Sequence, residues 1–163
     1  RNLYGERGEV DTSITMKIGK ARTIRSGNAI TIVSLGQMVN VCKAAIEVSG
    51  IDAELIDLAT IVPWDRDAVL ESVKKTGRLV VVEEAPESGG WGSEIVATIT
   101  AQLFNSLKGA PFRITTPDVP IPYSGVLESR FIPTQDDIIR QLTHALATGE
   151  KPKTWWQAEG ISQ

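Results

Sequence analysis

Short runs of apolar residues alternate along this chain with stretches in which apolar residues recur at helical spacing. Residues 79–82, Leu-Val-Val-Val, form an unbroken apolar run typical of a strand that is covered on both faces of a parallel sheet. Comparable runs lie at 30–35, 53–58 and 112–115, and a more polar one lies at 20–25. We therefore expect a strand at each of these five positions.

Apolar stripes with helical spacing lie between and after these strands. They comprise Met38, Val41, Cys42, Ala45 and Ile46, then Ala68, Val69, Leu70 and Val73, then Ile95, Ile99 and Leu103, and finally Ile138, Ile139, Leu142, Ala145 and Leu146. Asp65 precedes the second stripe and is a predicted N-cap, because its carboxylate can accept from the free N–H groups of the first turn. Thr134 followed by Asp137 resembles a capping box before the last stripe, with Asp in place of the usual Glu.

Strands that alternate with helices predict a three-layer α/β sandwich around a mostly parallel sheet. Ser26-Gly27-Asn28 is a turn signal, so we expect the strands at 20–25 and 30–35 to pair as a hairpin with one antiparallel strand at the sheet edge. Residues 1–19 mix charge, glycine and scattered apolar residues, as in an arm or linker from a preceding domain. The α/β domain is expected at 20–149.

The tail at 150–163 contains the adjacent pair Trp155 and Trp156. Two neighbouring tryptophans in a polar segment favour burial over exposure to water. The sequence leaves open whether they dock on this domain or on a neighbouring one.

Composition and charge exclude several classes of partner. The chain has 163 residues, enough for one domain with a real core, and its 42% hydrophobic and 23% charged residues are ordinary for a globular protein. A formal charge of −3 offers no basic footprint for nucleic acid. We find neither a run long enough to span a membrane nor a signal peptide, so we expect a cytoplasmic or mitochondrial-matrix protein.

The chain has one cysteine, Cys42, and one histidine, His144. This excludes an internal disulfide, a Cys/His zinc cluster and any nucleophile–histidine pair that does not use His144. Cys42 falls on an apolar helix face, so we expect a buried and unreactive thiol. His144 lies between polar or small residues of the last predicted helix and is expected on the surface or in a packing role.

A glycine-rich, acidic loop follows the strand at 79–82. Glu83 and Glu84 are expected where the strand emerges, and glycines follow at 89, 90 and 92 before a helix. Glycines before a helix can cradle a phosphate, but residues 83–94 contain carboxylates and no Lys or Arg. We therefore expect these glycines to serve a tight turn and close helix packing. The acidic loop suits a basic protein surface better than a nucleotide.

The segment at 117–123, Pro-Asp-Val-Pro-Ile-Pro-Tyr, alternates prolines with other residues and is stiffened into an extended path. It is either a wall of the domain or the rim of a subunit contact.

Three motifs, in this order, resemble one family. They are Asp-Leu-Ala-Thr-Ile-Val-Pro-Trp-Asp at 57–65, Val-Glu-Glu-Ala-Pro-Glu-Ser-Gly-Gly-Trp-Gly-Ser-Glu-Ile at 82–95 and the proline-rich segment at 117–123. Together they resemble the C-terminal domain of the β subunit of the E1 component of 2-oxo acid dehydrogenase complexes. The resemblance runs from about Leu3 to Leu146 and implies an α/β domain of the transketolase C-terminal type.

The resemblance also implies a function for the whole enzyme. E1 uses thiamine diphosphate and Mg²⁺ to decarboxylate a 2-oxo acid and passes the acyl group to the lipoyl arm of E2. In that family the cofactor lies between the α subunit and the N-terminal domain of β, so no catalytic, cofactor-binding or metal-binding residue is expected in this chain. The implied partners are the E1 α subunit, a second β subunit and the peripheral subunit-binding domain of E2.

Docking of E2 in this family is steered by E1 carboxylates, and here the sequence departs from the pattern. An acidic residue commonly precedes Ala-Pro, whereas this chain has Gly109-Ala110-Pro111 beside Lys108. The tail also displaces the terminal carboxylate that usually follows the last helix. The candidate partner-binding residues are Glu83, Glu84, Glu94 and Glu128.

Two other interpretations remain open. An α/β sheet with a Gly-rich loop can hold a small molecule at its strand ends, which makes a regulatory module possible, with a cationic or neutral ligand. Transketolases and deoxyxylulose phosphate synthases also end in this domain type, although the segment at 117–123 resembles E1 β more than either.

Overall fold

The computed structural model describes Glu9, Ser13 and residues 15–158. In chain order its elements are β1 (Arg22–Arg25), β2 (Ile30–Ser34), α1 (Gln37–Ser49), β3 (Ala53–Asp57), α2 (Arg66–Thr76), β4 (Leu79–Pro86), α3 (Gly92–Leu103), β5 (Phe112–Thr116), α4 (Gly125–Glu128), α5 (Gln135–Thr148) and α6 (Trp155–Ala158). A short 3-10 turn, Phe104–Ser106, follows α3. Most of the predicted arm at 1–19, and the tail beyond 158, lie outside the described residues.

The five strands form one sheet in the order β1-β3-β2-β4-β5. Strands β3, β2, β4 and β5 run parallel to one another, while β1 runs antiparallel to β3 at one edge. Helices α1 and α5 pack on one face through a core that includes Cys42 and Leu142. Helices α2 and α3 pack on the other face through a core that includes Val69 and Ile99. The predicted three-layer α/β fold with one antiparallel edge strand is confirmed.

The predicted hairpin between the first two strands is wrong, because β3 lies between them. The link from β1 to β2 crosses the start of β3, where the N–H groups of Asn28 and Ala29 donate to Asp52 O at 3.1 and 2.8 Å. A Cβ at Gly27 would lie 2.3 Å from the carbonyl carbon of Ala53. The turn signal at 26–28 therefore marks a close crossing of two backbones and not a two-strand turn.

The predicted caps are confirmed. Asp65 Oδ1 accepts from the N–H of Ala68 at 3.3 Å at the start of α2. Thr134 Oγ1 accepts from the N–H of Asp137, and Asp137 Oδ2 accepts from the N–H of Thr134 at 3.0 Å, which completes the capping box of α5. Each interaction pairs an N–H that the helix itself leaves unbonded.

The single cysteine lies in the core, as predicted. Cys42 is fully buried on α1, and burial raises the pKa of its thiol to about 12, against a hydrogen bond with Ser34 that favours the thiolate. His144 is exposed on α5. Among residues 15–158, no helix combines the length and apolar content that a bilayer crossing requires.

Candidate functional site

The carboxyl ends of the parallel strands meet at one edge of the sheet, where loops lead into α2, α3 and α4. In open α/β sheets ligands bind at the carboxyl ends of the strands, so we name this the functional edge. Strand β4 extends further than predicted, through Pro86, and holds Glu83 inside the domain with 1% of its surface exposed. The prediction that Glu83 emerges at the surface is therefore wrong. The buried Glu83 side chain is not accessible to a partner protein.

Glu83 is bonded on both carboxylate oxygens. Its Oε1 accepts from Arg113 Nη1 at 2.8 Å, and its Oε2 accepts from the N–H of Gly92 at 3.0 Å in the first turn of α3. Burial raises the pKa of Glu83 above its ordinary value, although the bonds from Gly92 and Arg113 favour the charged form. The pair therefore lies in a poorly solvated position where each partner depends on the other.

Arg113 also holds the glycine-rich loop. Its second guanidinium nitrogen, Nη2, donates to the carbonyl oxygen of Glu87. The sequence analysis of residues 83–94 did not predict this cation, because Arg113 lies outside that segment. Arg113 belongs to β5, where it is paired with Val81 of β4. An arginine inside the predicted strand at 112–115 was the available signal, since a buried guanidinium needs an acidic partner.

The loop glycines are structural, as predicted. A Cβ at Gly92 would lie 2.7 Å from both Glu83 Oε1 and Val81 Cγ1. A Cβ at Gly90 would lie 2.7 Å from the carbonyl oxygen of Pro86 and 2.8 Å from Arg113 Nη1. The glycines thus let the loop lie directly on the Glu83 and Arg113 side chains.

The loop does not fit a diphosphate group. The carboxylate of Glu83 already occupies the N–H of Gly92, and the Arg113 guanidinium is engaged by Glu83 and Glu87. An anion placed there would meet a buried negative charge with no free cation beside it. Nor do the described residues group three His, Cys, Asp or Glu side chains as ligands for a metal ion. These residues therefore do not fit the diphosphate of thiamine diphosphate or a Mg²⁺ ion.

The other three candidate carboxylates lie closer to solvent. Glu84 is exposed near the end of β4. Glu94 is exposed in the first turn of α3, where the helix dipole favours a negative charge, and accepts from Thr98 Oγ1 at 3.1 Å. Glu128 is half-buried at the end of α4. Glu84 and Glu94 therefore present carboxylates to solvent at the functional edge.

The proline-rich segment is tied to the glycine-rich loop. Asp118 accepts from the N–H of Ser88 at 2.9 Å and from the Ser88 hydroxyl. These two hydrogen bonds hold the pKa of Asp118 below its ordinary value. The tie fixes the direction in which the chain leaves β5.

Beyond this tie the chain exposes a series of apolar side chains, which we name the apolar rim. Its members are Val119, Ile121, Tyr123, Val126 and Leu127. Ile121 and Val126 are each 73% exposed, and Tyr123 is fully exposed. Single exposed apolar residues are common, but a run of five within nine residues is typical of an interaction surface.

An apolar cavity of about 300 Å³ opens between the loop after β3 and the start of α3. It is lined by Leu58, Ile61, Val62, Pro63, Trp64, Trp91, Glu94 and Ile95. The Arg66 guanidinium lies over the Trp64 ring, with its central carbon 5.7 Å from the ring centroid. The motifs at 57–65 and 82–95, which are distant in sequence, thus form one pocket.

The loop after β3, which lines this cavity, is held at both ends by hydrogen bonds. Asp57 Oδ1 accepts from the N–H of Ala59 at 3.0 Å, and Asp57 Oδ2 accepts from Arg22 on β1. At the other end Asp65 Oδ2 accepts from the N–H of Ala21 at 3.1 Å. Burial raises the pKa of Asp65, but the bonds from Ala21, Ala68 and Lys20 outweigh it and hold the pKa below its ordinary value.

The domain so described matches a known family over most of its length. A family model described as the transketolase C-terminal domain matches residues 19–138. The chain belongs to this transketolase C-terminal domain family.

Three curated relatives of this family member are at least 39% identical to it. The β subunit of acetoin:2,6-dichlorophenolindophenol oxidoreductase from Cupriavidus necator is 39% identical over 142 residues, covering 85% of the chain and 42% of the relative. The pyruvate dehydrogenase E1 component subunit β of Rhizobium meliloti is 43% identical, covering 84% and 31%. The mitochondrial 2-oxoisovalerate dehydrogenase subunit β of Dictyostelium discoideum is 43% identical, covering 71% and 32%.

A solved structure supports the same fold. A split-gene transketolase, described as an inactive β4 tetramer, superposes with a TM-score of 0.72 at 28% identity, covering 88% of this chain and 47% of that one. The family member therefore spans less than half the length of each of these relatives.

Proposed function

We propose that this chain is the C-terminal domain of the β subunit of a thiamine diphosphate-dependent 2-oxo acid dehydrogenase, E1. The curated relatives support this proposal, since they are named as β subunits of acetoin, pyruvate and 2-oxoisovalerate enzymes at 39–43% identity, whereas the transketolase structure is 28% identical. In this proposal residues 1–19 link the domain to a pyrimidine-binding domain. Residues 20–149 form the α/β domain, and 150–163 form a tail.

We further propose that decarboxylation takes place on the other domains of the enzyme. The observation that supports this division is the Glu83 and Arg113 pair, which fills the glycine-rich start of α3, where the sequence resembles a phosphate site. Thiamine diphosphate and Mg²⁺ would then be held by the α subunit and the N-terminal part of β. The compartment would be the cytoplasm or the mitochondrial matrix, and the Dictyostelium discoideum relative is named as mitochondrial.

In this proposal the domain's own role is assembly. The apolar rim offers five exposed side chains at the functional edge, fixed in direction by the Ser88 and Asp118 contact. An apolar surface of this kind suits the core of a subunit interface, where water is excluded. The partners would be the E1 α subunit and a second β subunit.

The test of assembly uses the complete β subunit coexpressed with its α subunit. Ile121→Ser places a hydroxyl on the apolar rim, while Val48→Ser makes a similar change at a comparably exposed site, 70% against 73%, near the end of α1. We expect Ile121→Ser to weaken assembly at least tenfold by light scattering across a dilution series and Val48→Ser to leave it unchanged. Equal behaviour of both variants would remove the rim from the interface.

A second role in this proposal is docking of the E2 peripheral subunit-binding domain. Glu84 and Glu94 are the candidate carboxylates that are exposed at the functional edge, and charges of this kind set association rate and partner choice. Glu128 is a third candidate. Calorimetric titration of the assembled enzyme with the E2 domain should show weaker binding after Glu94→Ala than after Glu47→Ala, whose carboxylate is exposed on α1. Unchanged affinity after Glu94→Ala would remove Glu94.

The apolar cavity favours a second candidate function, a small-molecule regulatory site. Its volume of about 300 Å³ is at the lower end for ligand pockets, and two tryptophans line it. A thermal-shift screen of neutral and cationic metabolites tests this role, because a ligand that binds only the folded state raises Tm. No stabilisation across the screen, or equal stabilisation of a Trp91→Ala variant, would count against it.

A further inference from the structure

The tail that follows α5 docks on this domain. Trp155 is 4% exposed, and its Nε1 donates to the carbonyl oxygen of Thr115 of β5 at 3.0 Å. Thr154 Oγ1 accepts from the N–H of Gln157, and Gln157 Oε1 accepts from the N–H of Thr154 at 3.2 Å, a capping-box arrangement at α6. These contacts fix the position of the tail on the domain.

A cavity of about 350 Å³ lies between the docked tail and α5, and we name it the basic cavity. Arg140 and His144 line it from α5, and Lys151 and Lys153 line it from the tail. Among the described residues that line it, Glu150 is the only carboxylate. The basic cavity therefore concentrates positive charge on a chain whose formal net charge is −3.

Local periodicity brings these basic side chains to the same cavity. Arg140 and His144 are four residues apart on α5, so they share one face of the helix. In the tail, Lys151 and Lys153 are exposed while Pro152 between them is buried. This alternation is expected where successive side chains point to opposite sides, and it directs both lysines to the same side. One basic pair from a helix and one from the tail thus line the basic cavity together.

Most of the hydrogen-bond donors in this cavity are unused. Within the described residues, the side chains of His144, Lys151 and Lys153 make no ion pair or hydrogen bond. Arg140 Nη2 donates to Asp137 Oδ1 at 2.7 Å, which leaves the guanidinium with further N–H donors. Unused cationic donors that converge on one cavity favour an anionic ligand with several acceptor oxygens.

We propose that the basic cavity binds the phosphate group of a small molecule. A phosphate ester carries about −1.5 to −2 charges at pH 7 and presents three strong acceptor oxygens, so it can engage α5 and the tail at once. A carboxylate has a single charge and two oxygens, too few for the three permanent cations Arg140, Lys151 and Lys153. The volume of about 350 Å³ suits a small molecule. The site requires the tail, because both lysines belong to it.

The test uses His144 as a reporter, since it is the only histidine of the chain and its ring proton signals in an NMR spectrum are unambiguous. The full chain is titrated with inorganic phosphate, with glycerol phosphate as a phosphate monoester, and with acetate, at fixed pH and ionic strength. We expect saturable shifts of the His144 signals with both phosphate compounds and no saturable shift with acetate. The ratio of the two Kd values then distinguishes a site for the free anion from a site for an ester.

Two double variants test whether the tail lysines hold the phosphate. Lys151→Gln with Lys153→Gln should raise the Kd for phosphate about tenfold, because two cationic donors are lost. Lys43→Gln with Lys74→Gln is the matched control, since it changes the net charge equally at exposed lysines of α1 and α2 that do not line the cavity. We expect the control to keep the original Kd. Circular dichroism verifies the fold of each variant, and single variants replace a double variant that does not fold.

Three results would overturn the proposal. The first is the absence of a saturable His144 shift with either phosphate compound. The second is a saturable shift with acetate at the same Kd, which would mean that the cavity does not select phosphate. The third is an equal change of Kd, or none, in the two double variants, which would assign the binding to overall charge or to another part of the chain.

Discussion

Arg113 of β5 and Glu83 of β4 form a buried ion pair with 2.8 Å between Nη1 and Oε1, and this pair supports the glycine-rich loop. Removing one partner of a buried pair leaves an uncompensated charge and typically costs about 3–5 kcal/mol. We expect Arg113→Met to lower the free energy of unfolding by this amount in urea titrations, because Glu83 then has no cation.

The double variant separates charge from packing. Glu83→Gln combined with Arg113→Met removes both charges, so it should unfold at higher urea than Arg113→Met alone. If the double variant is instead less stable by the sum of the two single losses, the two side chains act independently.

Asp65 provides a test by pH. Its pKa lies below the ordinary value of 3.8, so the folded state binds a proton less readily than the unfolded chain. The ionised Asp65 carboxylate therefore contributes its full stabilisation of the folded state above pH 3.8, and this contribution is lost as pH falls through the pKa of Asp65 in the folded state. Asp65→Asn keeps a cap for Ala68 but cannot carry the charge. We expect the stability difference between the original chain and Asp65→Asn to be positive at pH 7 and to shrink towards pH 3.

Asp65→Ala is the matched control for this measurement. It removes the cap itself, so about 1 kcal/mol of its loss should remain at both pH values. If the difference in unfolding free energy between the original chain and Asp65→Asn does not change with pH, the pKa of Asp65 is not lowered in the folded state.

Gly27 is expected to be intolerant of a side chain. A Cβ there would lie 2.3 Å from the Ala53 carbonyl carbon and 2.5 Å from its oxygen, and both are backbone atoms that cannot rotate away. We expect Gly27→Ala to cost about 3 kcal/mol, the upper end of ordinary overpacking. Gly125→Ala is the control, because nothing lies within 4 Å of its Cβ position in α4. It should be neutral or slightly stabilising in the same thermal melts.

The layers of this fold were predictable because they follow from local patterns. The apolar run at 79–82 and the stripe through Cys42 and Ala45 predict which faces are buried. The caps at Asp65 and Thr134 depend only on residues within a few positions of each other in the sequence. Strand neighbours are not local information. The turn signal at Gly27 is consistent with a hairpin, and only the position of β3 between β1 and β2 decides against it.

The candidate site was less predictable for the same reason. Glu83 looked like a surface carboxylate because its counterion is 30 residues away on β5. The destination of Trp155 was also open, since its hydrogen-bond acceptor is a backbone carbonyl, which no side-chain pattern reveals. Contacts between distant segments decide both cases, whereas hydrophobic periodicity reports only on neighbours along the chain.

Cys42 is the chain's only thiol, so its reactivity can be measured directly. It is fully buried, and with a pKa of about 12 only on the order of one thiol in ten thousand is ionised at pH 8. Because the thiolate is the reactive form, we expect no release of colour from an aromatic disulfide reagent in the folded state and one equivalent in urea. Cys42→Ala gives the background in both conditions. Reaction of the folded chain at the rate of a free thiol would mean that α1 opens readily, and would contradict a close-packed core around Cys42.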